Sequence, residues 1–190
     1  AGMGMRREDG EFLAVHLPFF KATPRTEGAE RFIYCEASNE AGDQEREQVL
    51  KSALEGSSHY FEQNGNVDVD HMTILGYRAG IRNPHLYEIG RPAEVRFAGK
   101  LSLVKARLYQ GDSPAAEMAN YVWSTFELTP PMRWFPSVAG DKLARKRILD
   151  PATGLHKSVV TDVLWKSLAL SKQPQNLSVP AVSTLGFDEF

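Results

Sequence analysis

Two rhythms of apolar and polar residues alternate along the chain. A period of two prevails, which marks strands with one face toward a core. It runs through "GEFLAVHLPFF" (10–20), where Pro18 favours an edge or an early end, and "RFIYCEA" (31–37), where Ile33, Cys35 and Ala37 share a face. It returns in "NVDVDHMTIL" (66–75), "LYEIGRPAEVRF" (86–97) and "KLSLVKARLYQ" (100–110), the last two joined as a hairpin at Ala98-Gly99. "RKRILD" (145–150) and "LHKSVVTDVLWKSLALS" (155–171) close the series around the turn "DPATG" (150–154). A helical period intervenes twice. Residues 43–64 repeat Val49, Leu50, Ala53, Leu54, Tyr60 and Phe61 at helical spacing, with Asp43 as N-cap and Asn64-Gly65 as stop. Residues 113–126 carry the stripe Met118, Val122 and Phe126, with Ser113 as cap, Pro114 in the first turn and Pro130-Pro131 beyond the end. The segments "KATPRTEGAE" (21–30) and 172–190 lack either rhythm and are expected on the surface. Seven or eight strands joined by short turns, with two helices between them, predict a mainly β fold of the α+β class: an antiparallel β-barrel, closed or nearly so, flanked by helices.

Composition narrows the function classes. A chain of 190 residues, 42% hydrophobic, suits one domain. A net charge of −2 gives no reason to expect a nucleic-acid partner or an anionic membrane surface. The basic run "KLARKR" (142–147) reads as a solvated hairpin edge. No apolar run suggests a membrane span. One cysteine leaves no internal disulfide, which fits a reducing compartment.

Five histidines are the first candidates for chemistry: His16, His59, His71, His85 and His156. His71 stands out because Asp68 and Asp70 interrupt the apolar strand just before it. If the strand persists, Asp68 and Asp70 share one face and His71 lies on the other beside Val69. The three would then not chelate one metal, and Asp70 would not orient the His71 ring. Cys35, on the core face, reads as a buried thiol. Ser137, in "MRWFPSVAG" (132–140), lies between bulky apolar residues and Val138-Ala139-Gly140. Small neighbours admit a substrate backbone, and a nearby base would make this hydroxyl a nucleophile; a plain turn serine fits the same residues.

The order of these segments resembles that of bacteriophage prohead (capsid maturation) serine proteases, which are herpesvirus-assemblin-like. "FIYCEASNEAGDQEREQVLKSALEGSSHYFEQNGNVDVDHMTILG" is similar to their strand, loop, helix and histidine-bearing strand. "LYEIGRPAEVRF" resembles their Ile-Gly element, "MRWFPSVAG" their serine segment, and "VVTDVLWKSLALSKQPQN" their closing strand. Pro136, Ala139 and Lys166 depart from the pattern. The resemblance spans residues 30–177 and implies a herpesvirus-protease-like fold, with Ser137 as nucleophile and His71 as general base. It points to an acid between them as third member. Glu94 is chosen, although its pattern equally fits an exposed strand glutamate, and Glu88, Asp162 and His156 are alternatives. Arg145 or Arg147 is considered as an aid to backbone N–H groups at the oxyanion. Residues 1–10 would be a disordered or artificially appended N-terminus, 11–177 the protease domain, and 178–190 an irregular tail within or after which self-cleavage would fit. No cofactor or metal is implied. The implied substrates are phage scaffold and major capsid proteins and the protease itself, acting inside the procapsid in the host cytoplasm, with self-association into a homo-oligomer left open. No nucleic acid and no membrane enter. Two other readings remain: the same barrel as a non-catalytic capsid-assembly protein, and a small-ligand module with Trp123, Trp134 and Phe135 at a pocket.

Overall fold

The computed structural model describes residues 12–16 (backbone), 30–40, 47–173 and 181–184. The expected Asp43 cap, the linker 21–29 and residues 1–10 lie outside these. Among the described residues the strands and α-helices run in the order β1 (Phe12–His16), β2 (Arg31–Ser38), β3 (Glu47–Val49), α1 (Lys51–Glu55), α2 (Ser58–Asn64), β4 (Asn66–Val69), α3 (Met72–Leu75), β5 (Glu88–Ala98), β6 (Leu101–Leu108), α4 (Glu117–Phe126), β7 (Phe135–Leu149) and β8 (His156–Ser171). The strands form one curled sheet in the order β1-β7-β8-β4-β5-β6-β2, with β3 added on β8. The class is α+β, as expected, but the sheet is mixed: β4 and β3 both run parallel to β8. No helix among the described residues is long and apolar enough to cross a membrane.

One face of each central strand fills the core. Ile33 and Cys35 of β2, Val67 and Val69 of β4, Val104 and Ala106 of β6, Val138 of β7, and Trp165, Leu168 and Leu170 of β8 form a single apolar cluster. Phe61 of α2 stacks on Trp165 with ring centroids 4.1 Å apart and planes within 6°. Burial of two such rings removes a large apolar area from water and anchors the helix to the sheet. From α4, Val122 enters the core while Met118 and Phe126 pack at its margin. Trp134 lies in the same core and donates from Nε1 to Thr125 Oγ1 at 2.7 Å. It is thus packed rather than exposed to a ligand.

The helix expected over 43–64 divides. Glu47–Val49 extends instead and pairs with Ser158, Val159 and Val160 of β8. The unpaired edge of β8 offers main-chain hydrogen bonds that outweigh a helical period in three residues. After α1, Ser57 accepts the Trp165 amide on its Oγ at 3.0 Å, and a second helix starts. Elsewhere local signals hold. Gly99, at φ +58°, turns the β5–β6 hairpin. Ser113 Oγ accepts from Ala115 N at 3.2 Å ahead of α4.

The tail, expected to trail over the surface, is partly docked. Ser183 exchanges main-chain hydrogen bonds with Tyr34 of β2 (2.9 and 3.3 Å), and Val182 N donates to Trp134 O at 2.6 Å. Val182 itself is buried. Residues 181–184 therefore bridge β2, an edge strand of the sheet, and Trp134 just ahead of β7.

Candidate active site

Three neighbouring strands put Ser137, Ala169 and Asp68 in one row. Ser137 pairs with Ala169 across β7–β8, and Asp68 pairs with Ala169 across β4–β8. Because Val138, Leu168, Leu170, Val67 and Val69 face the core, alternation puts all three row residues on the opposite face. Ser137 is thus a strand residue paired on both sides, with β1 and with β8, and not a turn residue. Pro136 pairs with Leu170 of β8 but lies ahead of the first β1 pair, at Ser137, so β7 still has one open edge at the proline.

β4 stops at Val69, so strand alternation does not reach His71. Asp70 and His71 both have left-handed backbones, φ +51° and +58°. Each such non-glycine residue costs about 1–2 kcal/mol, somewhat less for Asp. This double kink swings the imidazole out of the position that an uninterrupted strand would give it. The ring is buried, at 5% exposure, and its Nε2 lies 2.6 Å from Ser137 Oγ. The two residues are 66 positions apart in sequence. Among the other histidines, His59, His85 and His156 are exposed.

The acid in the row is Asp68, which is fully buried. Its Oδ2 accepts from the Thr73 amide (3.0 Å) and hydroxyl (2.6 Å), and its Oδ1 accepts from Ser167 Oγ at 3.1 Å. Burial pushes its carboxyl up to about 6, against the opposing pull of those hydrogen bonds. In the sequence alone Asp68 suggests only a metal ligand. Its role as an anchor for the α3 turn depends on the kink, which no local residue signal announces. Beyond it, Glu88 pairs with Asp68 across β4–β5 and accepts from Tyr109 Oη at 2.5 Å.

Glu94, expected as the third member, is not brought to this pair. It lies six residues beyond Glu88 along β5, on the order of 20 Å at about 3.3 Å per residue. Its Oε1 accepts from Arg96 Nε at 2.6 Å in a half-exposed ion pair. Asp162 and His156 are exposed and lie farther along β8, toward the hairpin tip. Arg145 and Arg147 cannot serve an oxyanion at Ser137: eight and ten residues of the same strand separate them from it, more than about 20 Å. At the rim, Lys172 Nζ sits 4.0 Å from the Trp134 ring centroid and donates to Met132 Sδ at 3.1 Å. Cys35 is fully buried, and burial drives its thiol far above the usual range, so it supplies no thiolate.

An imidazole nitrogen at hydrogen-bond distance from a serine hydroxyl can accept its proton as the oxygen attacks an electrophile. No family model matches the chain, and no curated protein matches it. Among solved structures it is similar to the capsid assembly protease gp21 of bacteriophage T4, at 14% sequence identity and a TM-score of 0.48, covering 86% of this chain and 97% of that one.

Proposed function

We propose that the chain is a serine endopeptidase in which Ser137 is the nucleophile and His71 the general base, and that it acts on capsid-assembly proteins. The observation that carries the catalytic reading is the 2.6 Å approach of His71 Nε2 to Ser137 Oγ across 66 residues of sequence. The order of the sequence segments, which resembles that of prohead proteases, supports scaffold and coat-protein substrates.

In this mechanism Ser137 donates its hydroxyl hydrogen to Nε2 as Oγ bonds to the scissile carbonyl carbon. The tetrahedral intermediate collapses when His71 passes that proton to the leaving amide nitrogen, and the carbon–nitrogen bond breaks. Water then attacks the Ser137 ester, His71 takes its proton, and the returned proton restores the serine. Glu94 is left out of the set because its carboxylate is held by Arg96.

Burial of both side chains favours a second reading, in which the same hydrogen bond is a purely structural contact in a non-catalytic assembly protein. One experiment decides. A longer precursor and a flexible protein substrate are incubated with wild type, Ser137→Ala and His71→Ala, and the fragments are followed by mass spectrometry. Cleavage by wild type alone supports the peptidase. Fragments that persist unchanged in Ser137→Ala refute it.

A further inference from the structure

Asp68 spends its carboxylate on two segments that have to stay in register. Thr73, which gives it two hydrogen bonds, is the second residue of α3, the helix that begins directly after His71. Ser167, which gives the third, lies on β8 two residues before Ala169, the strand neighbour of Ser137. Asn66 adds to the clamp by donating from Nδ2 to Thr73 Oγ1 at 3.2 Å. One side chain therefore ties the turn that carries the imidazole to the strand beside the hydroxyl.

We propose that Asp68 is the positioning residue of the Ser137–His71 pair: by holding Thr73 to Ser167 it keeps the left-handed Asp70–His71 turn from relaxing and so sets Nε2 on Oγ. The catalytic consequence rests on the peptidase reading, whereas the geometric claim does not. An ionised carboxylate suits the task because it offers acceptor sites to all three donors at once. Asparagine of the same shape has a single acceptor oxygen, and its amide hydrogens would oppose a hydroxyl that now donates. Among the described residues no cation pairs with Asp68, and burying an unpaired charge is unfavourable. Burial accordingly raises its proton affinity. A group that is costly to bury and whose hydrogen bonds all brace the base fits the way sites retain local instability for the sake of geometry.

The test compares Asp68→Asn, Thr73→Val and Thr73→Ser with wild type and Ser137→Ala. In histidine-labelled protein, long-range proton–nitrogen NMR reads His71 Nε2, assigned by its loss in His71→Ala. Asp68→Asn and Thr73→Val are expected to move this signal to where Ser137→Ala puts it, and Thr73→Ser to leave it in place. A signal that stays at its wild-type position in folded Asp68→Asn or Thr73→Val overturns the proposal. The second readout is turnover. The expected change is a fall in kcat of about 10- to 100-fold with KM unchanged, as for a displaced catalytic group, and near-wild-type kcat in Thr73→Ser. A kcat that falls only in step with Tm marks a merely structural role and overturns it. Absence of turnover in wild type as well counts against the peptidase reading, and the Nε2 signal then decides the positioning claim by itself.

Discussion

Replacing Asp68 by Asn should change how stability depends on pH, and in a direction that most carboxylate substitutions do not. The Asp68 carboxyl is raised from 3.8 to about 6, chiefly because its burial disfavours the ion. The folded protein therefore holds this proton more tightly than the unfolded chain does. Between about pH 4 and 6 the folded state binds the extra proton, so the Asp68 contribution to stability is complete below about pH 4 and lost as pH rises through 6. A rise from 3.8 to about 6 corresponds to about 3 kcal/mol. Asparagine does not titrate, so the variant lacks this decline. Urea unfolding at intervals from pH 4 to 7.5, followed through the buried Trp134 and Trp165, gives the stability of each protein. Wild type should lose ground to Asp68→Asn by about 2–3 kcal/mol across the interval, whatever the constant effect of the altered hydrogen bonds. Glu36, which burial raises to about 7, titrates in both proteins and cancels in the difference. Parallel stability curves would refute the reasoning.

Three further substitutions probe the frame of the site. Gly140→Ala would put a Cβ 2.1 Å from the Leu164 carbonyl oxygen, where β7 crosses close to β8. Thermal unfolding should show a loss of about 1–3 kcal/mol or more, as for overpacking, and a wild-type Tm would contradict the close approach. Phe61→Ala removes the ring stacked on Trp165 and should cost about 3–5 kcal/mol by denaturant titration, as for other buried aromatics. Ala169→Leu places a branched side chain in the row between Ser137 and Asp68; it should abolish reaction of Ser137 with a fluorophosphonate by crowding the imidazole, and undiminished labelling would show that the ring does not cross this position.

Local chemistry made much of the fold legible. The β5–β6 hairpin could be read from alternation plus Ala98-Gly99, whose glycine takes φ +58° in the fold, and α4 from Ser113, Pro114 and its apolar stripe. What local chemistry could not carry was decided elsewhere in the chain. The stretch Glu47–Val49 has a helical period, but an unpaired strand edge claims its backbone. The mixed strand directions follow from β4 and β3 both lying parallel to β8, which alternation cannot report. At the site, His71 and Ser137 could be singled out, yet alternation alone put His71 on the face with Val69. The left-handed residues that redirect it are Asp and His, not glycine, and carry little signal of their conformation. The distance of Glu94 from the pair has a related cause: position along a strand determines reach, and a pattern of faces does not.

The docked segment 181–184 bears on what trimming of the carboxyl end would do. A cut after it leaves the seam between β2 and β7 latched. A cut ahead of it releases three main-chain hydrogen bonds and the buried Val182 together, and uncovers the β2 edge, where the amide and carbonyl of Tyr34 are then open to a strand from a neighbouring molecule. The site of such a cut would therefore decide whether the β2 edge stays covered or becomes adhesive.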